Sequence, residues 1–251
     1  MSLRLIANWK LNGSKEFNQK WTSNFFKYFN GQDFSLLGIA PPSIYFDHLR
    51  GLFGKNNICL GAQNIDEEES GARTGEISAS MIKDLGCEFS IVGHSERRTL
   101  FHELNQAISK KLIQANRYSL VPILCIGESA KERQKNITHE ILQQQIIEAL
   151  NGGIEITSLI IAYEPIWAIG SGKTPTPEEI NSVHEMIKDV VQSRFPKIDL
   201  VSVLYGGSVS ITNAKSLFEQ KNIDGALIGG ASLDGKEFAS IANIFNEIKV
   251  K

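Results

Sequence analysis

Three points along the chain place a reactive side chain directly after a short apolar run. Asn8-Trp9-Lys10 follows LRLIA (3–7), His94 follows FSIVG (89–93), and Glu164 closes SLIIAY (158–163) immediately before Pro165. Two glycine turns, Tyr205-Gly206-Gly207-Ser208 and Gly229-Gly230-Ala231-Ser232, end the runs LVSVL and GALI. A lysine at a strand end can bind an anion, and an imidazole there can serve as acid, base or electrophile. A carboxylate caught between an apolar run and a loop is desolvated, which works against its charged form and raises its basicity. Glycine turns let backbone N–H groups close around a phosphate. Each type also has an ordinary reading: a surface lysine, a hydrogen-bonded structural histidine, an ion-paired glutamate, a plain turn. Period two puts Asn8 and Lys10 on one strand face and Trp9 on the other.

Other chemistries are ruled out by spacing. His94-Ser95-Glu96 matches the start of a zinc deaminase signature, but Cys125 is followed by Ile-Gly-Glu and no PCxxC exists. Gly172-Lys173-Thr174 invites a nucleotide-binding reading, yet the phosphate-loop pattern needs glycine where Trp167 stands. The dinucleotide fingerprint fails as well, because Gly170 and Gly172 lead into Pro175.

The elements that must position these groups are legible. Eight short runs, 3–7, 36–40, 58–62, 89–93, 120–126, 158–164, 200–206 and 225–230, are apolar at successive positions, as strands buried on both faces are. Between them lie amphipathic faces: Phe17, Trp21, Phe25 and Phe29; Ile141, Gln145 and Ala149 beside Leu142 and Ile146; Ile180, Val183, Ile187 and Val190; Phe238, Ile241, Phe245 and Ile248. Thr176-Pro177-Glu178-Glu179 reads as a capping box with proline at the first helical position, and Asp234-Gly235-Lys236-Glu237 as a second box. Strands alternating with helices at roughly 31 residues per unit imply parallel pairing and right-handed crossovers. The reading is an α/β chain folded as a single (β/α)8 parallel barrel, residues 1–251, with an open doubly wound sheet as the alternative. In a parallel barrel, reactive groups sit at the C-terminal ends of strands, and phosphate sites often follow strands seven and eight.

Bulk properties agree. The 251 residues suffice for a large core, and the formal net charge of −2 gives no field for nucleic acid or an anionic membrane. Cys59, Cys87 and Cys125 are scattered and odd in number, which predicts reduced, buried thiols in a cytoplasmic protein. No signal peptide or membrane span is visible.

Taken together, ANWKLNG (7–13), AQN (62–64), SGARTGEIS (70–78), IVGHSERR (91–98), CIGE (125–128), AYEPIWAIGSGKTPT (162–176), YGGSV (205–209) and LIGGASL (227–233) resemble the motifs of the triosephosphate isomerase family, in its order and along essentially the whole chain. The resemblance implies interconversion of dihydroxyacetone phosphate and D-glyceraldehyde 3-phosphate without cofactor or metal, in glycolysis and gluconeogenesis, by a homodimer. It makes Glu164 the base that moves a proton between two carbons, His94 the electrophile at the oxygens, and Lys10 the group that binds the anion, with Asn8 beside it. A glutamate base with a neutral histidine at a helix N-terminus is a known property of this family, and Ser95-Glu96-Arg97-Arg98 can open such a helix. Ser95 and Glu96 are then supports behind the reacting groups, and Gly170, Ser208, Gly229 and Gly230 hold phosphate. Residues Pro165, Ile166, Trp167, Ala168, Ile169, Gly170, Ser171, Gly172, Lys173, Thr174 and Pro175 match the family's lid, a known case of loop gating. Such an apolar lid removes water from around Glu164 and protects the enediolate.

Some positions depart from the pattern. The segment Asp66-Glu67-Glu68-Glu69 is acidic, Arg73 replaces a common aromatic near the dimer-loop tip at Thr74, and Ile166, Ser171 and Pro175 are variants within the lid. Two other classes stay open from sequence: a Schiff-base aldolase with Lys10 as nucleophile, and a binding protein that has lost catalysis.

Overall fold

The computed structural model describes residues 3–56, 58–151, 156–168 and 174–250. Eight parallel strands close a barrel in chain order: β1 (Leu5–Asn8), β2 (Leu37–Ala40), β3 (Cys59–Ala62), β4 (Phe89–Val92), β5 (Val121–Ile126), β6 (Ser158–Tyr163), β7 (Asp199–Tyr205) and β8 (Gly225–Ile228). Closure is made by β8 pairing with β1, Ile6 opposite Leu227 and Ala7 opposite Ile228. Helices cover the outside: α1 (Lys15–Tyr28), α2 (Phe46–Phe53), α3 (Ala79–Asp84), α4 (Ser95–Leu100), α5 (Asn105–Arg117), α6 (Ala130–Gln134), α7 (Thr138–Leu150), α8 (Pro177–Arg194), α9 (Ile211–Phe218) and α10 (Gly235–Lys249). The open-sheet alternative is thereby set aside.

Alternation along each strand builds two separate cores. Ile6, Phe89, Ile91, Ile123, Ile160, Ala162 and Leu227 fill the barrel interior, whereas Leu5, Ala7, Val92, Leu159 and Ile161 face the helices. The same alternation carries Asn8 and Glu164 onto the inward face at the top of their strands. Trp9 turns outward, fully buried against Phe17 and Trp21.

Local signals hold up with two adjustments. Thr176 and Glu179 form the reciprocal box, with Pro177 at the first helical position. At α10 the capping is done by the Asp234 carboxylate, which accepts from the N–H of Lys236 and of Glu237. On α8 the buried face runs Ile180, Val183, Ile187 and Val191, not Val190. Eleven residues at 100° return close to the starting direction and ten do not. The three cysteines are free and buried. No helix among the described residues is long and apolar enough to cross a membrane.

The inner face of α8 also buries His184 completely, its Nδ1 3.3 Å from Asn222 O. Burial pushes the imidazole down to about 3. An unfolded histidine titrates near 6.5. Between those values the unfolded chain holds a proton that the native chain does not, so stability falls as pH drops below about 6.5. The slope from this one group reaches about 1.4 kcal/mol per pH unit. Urea unfolding from pH 6.5 to 5 is expected to show that loss, and His184→Gln to flatten it. An equal slope in the variant rules His184 out as the cause.

Candidate active site

The reactive groups meet at the C-terminal mouth of the barrel. A cavity of about 210 Å³ is lined by Asn8, Lys10, His94, Glu164, the 206–209 turn and the 227–231 turn. That is below the ~300–1,000 Å³ of clefts for drug-sized ligands, a size suited to a small substrate.

Lys10 is held in an unfavourable conformation. Its φ is +51°, where side-chain-bearing residues rarely sit. Such strain persists only when neighbours fix both ends of the residue. Here the Lys10 N–H donates to Asn8 Oδ1 (3.1 Å), and the Lys10 carbonyl accepts from Gln63 Nε2 (2.8 Å). Gln63 also donates to Ala40 O (2.8 Å), so β2 and the loop after β3 together clamp the end of β1. The ammonium lies 2.6 Å from Glu96 Oε1 at the cavity edge. Gln63 carries no role in the sequence reading. It stands inside the AQN motif, but its contact with Lys10 joins positions far apart in the chain.

His94 caps α4. Gly93 before it takes φ +70°, and a Cβ there would lie 2.8 Å from Ile108 Cδ1, so the turn that delivers His94 requires glycine. His94 Nδ1 accepts from the Glu96 N–H (3.2 Å). An acceptor Nδ1 leaves the proton on Nε2, which points at Glu164 Oε1 across 2.8 Å. Burial pulls the His94 pKa down, but the Glu164 carboxylate outweighs it and holds the pKa above the ordinary histidine value. That pull depends on Glu164 staying where it is. The Glu96 N–H works the other way, because a protonated Nδ1 would face a second donor.

Glu164 is nearly fully buried, and its second oxygen, Oε2, accepts from the Ser95 N–H at 2.9 Å. It fits because position 206 is glycine: a Cβ there would lie 2.7 Å from Glu164 Cγ. Gly206 thus serves the carboxylate as well as the turn, a role visible only in three dimensions.

The glycine turns form the far wall. Ser208 and Gly230 are exposed on it and Gly229 is half-buried. Gly230–Leu233 makes a short 3-10 turn, the kind of extra helical turn after strand eight that barrels use for phosphate. It is braced from behind, since Ser232 Oγ donates to Gly229 O (2.7 Å) and the Trp21 indole N–H donates to Ser232 O (2.8 Å).

After Glu164 the chain makes a turn closed by the Ala168 N–H on Pro165 O (2.8 Å). The Trp167 indole N–H donates to Glu128 Oε1 (2.8 Å), which Tyr163 Oη also approaches (3.1 Å). Glu128 is fully buried, and that burial raises its pKa. Thr174 is exposed and Pro175 buried where the chain re-enters α8. Ile169, Gly170, Ser171, Gly172 and Lys173 lie outside the described residues, so the lid tip and the Gly170 contact are not placed.

The acidic departure is paired within the chain. Arg73 Nε lies 2.7 Å from Asp66 Oδ1, Lys110 approaches Glu67, and Arg117 pairs with Glu69 at 2.8 Å while Tyr118 Oη also donates to it. Burial works against the Asp66 charge, but the Arg73 hydrogen bond prevails and holds the carboxyl below its usual range. Arg73 therefore folds back on its own loop, and Thr74 is left exposed at the tip.

Comparison with known proteins adds an independent line. A family model described as triosephosphate isomerase matches residues 3–245. A triosephosphate isomerase from Nitrosococcus oceani is 42% identical over 240 residues, covering 94% of this chain and 96% of that protein. One from Enterobacter cloacae is 43% identical over 240 residues, with 94% of each chain covered. One from Salmonella newport shows the same 43% identity and coverage. The chain belongs to the triosephosphate isomerase family.

Proposed function

We infer that this isomerase interconverts dihydroxyacetone phosphate and D-glyceraldehyde 3-phosphate with Glu164, His94 and Lys10 as its reacting groups. The observation that carries the assignment is the 2.8 Å approach of the Glu164 carboxylate to His94 Nε2, in a cavity that Lys10 and two glycine turns also line. The Glu164 carboxylate takes the proton from the carbon beside the carbonyl. The electron pair of that C–H bond forms the C=C bond, and the carbonyl π pair moves to oxygen, giving an enediolate. His94 Nε2–H and the Lys10 ammonium face the new negative charge, where preorganised donors act most strongly. His94 Nε2–H gives its proton to the new oxyanion and takes one from the neighbouring hydroxyl, so the negative charge passes to the other oxygen. That oxygen's pair forms the new carbonyl as Glu164 returns its proton to the other carbon, and nothing is consumed. To reach the substrate the carboxylate leaves the Ser95 N–H, which withdraws its pull on His94 and favours the neutral imidazole as the donor.

The phosphate sits against Ser208, Gly229 and Gly230, and Gly170 completes that set from the lid, 165–175. Asn8 and Glu96 fix Lys10, and Ser95 holds Glu164 between turnovers. The active form is a homodimer. Supporting this, Leu11, Ile44, Met81, Leu100 and Phe101 are large exposed apolar residues, all on segments following β1 to β4. The chain forms one catalytic domain over residues 1–251, since β1 and β8 pair in a single closed sheet. The free, buried thiols fit a cytoplasmic setting.

A coupled isomerase assay tests the reading directly. Inorganic phosphate is expected to compete with dihydroxyacetone phosphate, raising KM and leaving kcat unchanged. Purely noncompetitive inhibition removes the Ser208 and Gly229-Gly230 site from the proposal.

A further inference from the structure

Arg133 lies on α6, outside the cavity, and touches what lies at both described ends of the 165–175 segment. Its guanidinium carbon stands 4.3 Å from the centroid of the Trp167 ring. Its Nη2 donates to Glu179 Oε1 at 2.7 Å. Its Nη1 is 3.7 Å from Glu128 Oε1, the oxygen that also receives the Trp167 indole N–H. The other oxygen of Glu179 accepts from the Thr176 N–H (2.8 Å), and the Glu179 N–H donates back to Thr176 Oγ1 (3.2 Å). One planar cation therefore covers Trp167 with its face and, from its edge, reaches through Glu179 to the backbone where the segment enters α8. Arginine suits this task because it stacks and donates at once, which an ammonium does not. The short helix that carries it is itself pinned by the Ser129–Glu132 capping box.

We propose that Arg133 is a positioning residue that holds the segment following Glu164 in the arrangement where the Glu164 carboxylate is bonded to the Ser95 N–H, and so sets the cost of leaving it. This rests on the reading of 165–175 as a lid. In this arrangement Glu164 is bonded to the Ser95 N–H and to His94, and Trp167, three residues on, is stacked on Arg133. A shift of Glu164 toward a substrate carbon pulls on the turn closed between Pro165 and Ala168. Whatever holds an arrangement that substrate binding must leave is subtracted from apparent ligand affinity. Loosening Arg133 therefore tightens binding, the opposite of what a loss of ordinary structural support does.

The test uses the whole enzyme with Arg133→Met and Glu179→Gln. Glutamine at the third helical position still completes a capping box, so the second variant cancels the ion pair and keeps the start of α8. For Arg133→Met, KM for dihydroxyacetone phosphate and Ki for inorganic phosphate are expected to fall together, by roughly three- to tenfold. Glu179→Gln should move both in the same direction by less, and Arg133→Lys should lie between Met and the native enzyme. The ligand-free emission of Trp167, isolated by difference against Trp167→Phe, should move toward its phosphate-bound value in Arg133→Met. Unchanged or raised KM and Ki in both Arg133→Met and Glu179→Gln overturn the proposal. If phosphate leaves Trp167 emission unaltered in the native enzyme, the lid reading fails and takes this proposal with it. If the native emission responds and the variants bind as before, only the Arg133 assignment falls.

Discussion

Glu164→Gln is expected to lower kcat on the order of 10²–10⁴-fold while the protein stays folded and binds substrate within a few-fold of normal. The range follows from the usual contribution of a positioned general base. An amide of the same size offers no basic oxygen, so the C–H proton has no acceptor. The phosphate contacts proposed at Ser208 and Gly229-Gly230 lie on the far wall and do not involve residue 164. The change also leaves a signature in the unreacted protein. In the native site Oε2 accepts from the Ser95 N–H and Oε1 faces His94 Nε2. A glutamine can satisfy one of these donors and must turn its own NH2 toward the other. Because the Glu164 carboxylate is what raises His94 against its burial, the His94 pKa is expected to drop in the variant, measurable by NMR titration. Near-normal turnover would remove Glu164 as the base, and an unmoved His94 titration would mean that the two side chains are not coupled in solution.

Why so much of this site can be read from one sequence is a matter of where barrels put chemistry. A strand buried on both faces shows as an uninterrupted apolar run, so its end is visible, and the residue after it is at the barrel mouth. The ends of β1, β4 and β6 pick out Asn8, Lys10, His94 and Glu164 as candidates without a structure. What stays hidden depends on contacts between distant segments. Gln63 on Lys10 O, Gly206 beneath Glu164, and Arg133 on Trp167 leave no local pattern. Helix α5 shows the same limit. Ile108, Leu112 and Ala115 form its buried face, but Lys111 is buried among them, so the polar–apolar alternation that announces a helix is broken. Lys111 is tolerated because its ammonium meets Glu103 Oε2 at 2.7 Å and Asn64 Oδ1 at 2.8 Å, partners that lie 8 and 47 residues away. His184 leaves no local signal for the same reason, since a polar residue in an apolar face is legible only once its partner, Asn222 O, is in place. The 165–175 segment is half legible: the Thr176 cap at its end is a local pattern, whereas the Trp167 bond to Glu128 joins distant positions. The acidic 66–69 segment is likewise paired within the chain, by Arg73, Lys110 and Arg117.

Lys10→Ala is expected to reduce kcat/KM on the order of 10³-fold, the scale of losing one preorganised donor at a developing oxyanion. Removing the ammonium does more than delete an attraction. It leaves the Glu96 carboxylate, 2.6 Å from the lost nitrogen, unneutralised beside a cavity that must admit a doubly charged phosphate ester. The site then repels what it bound, so KM rises as kcat falls. Part of the loss should return in Lys10→Ala combined with Glu96→Gln, because groups in contact do not act additively. The backbone supplies a control on folding. Position 10 sits at φ +51°, which strains alanine as it strains lysine but not glycine. Lys10→Gly should therefore be more stable than Lys10→Ala by about 1 kcal/mol in urea unfolding and no more active. Activity that tracked stability across that pair would make Lys10 a structural residue. Activity lost equally in both, with the glycine variant the more stable, isolates the charge as the contribution. The strain at residue 10 then has a function: Asn8 and Gln63 hold the backbone in a costly conformation because that conformation brings the ammonium to the cavity edge.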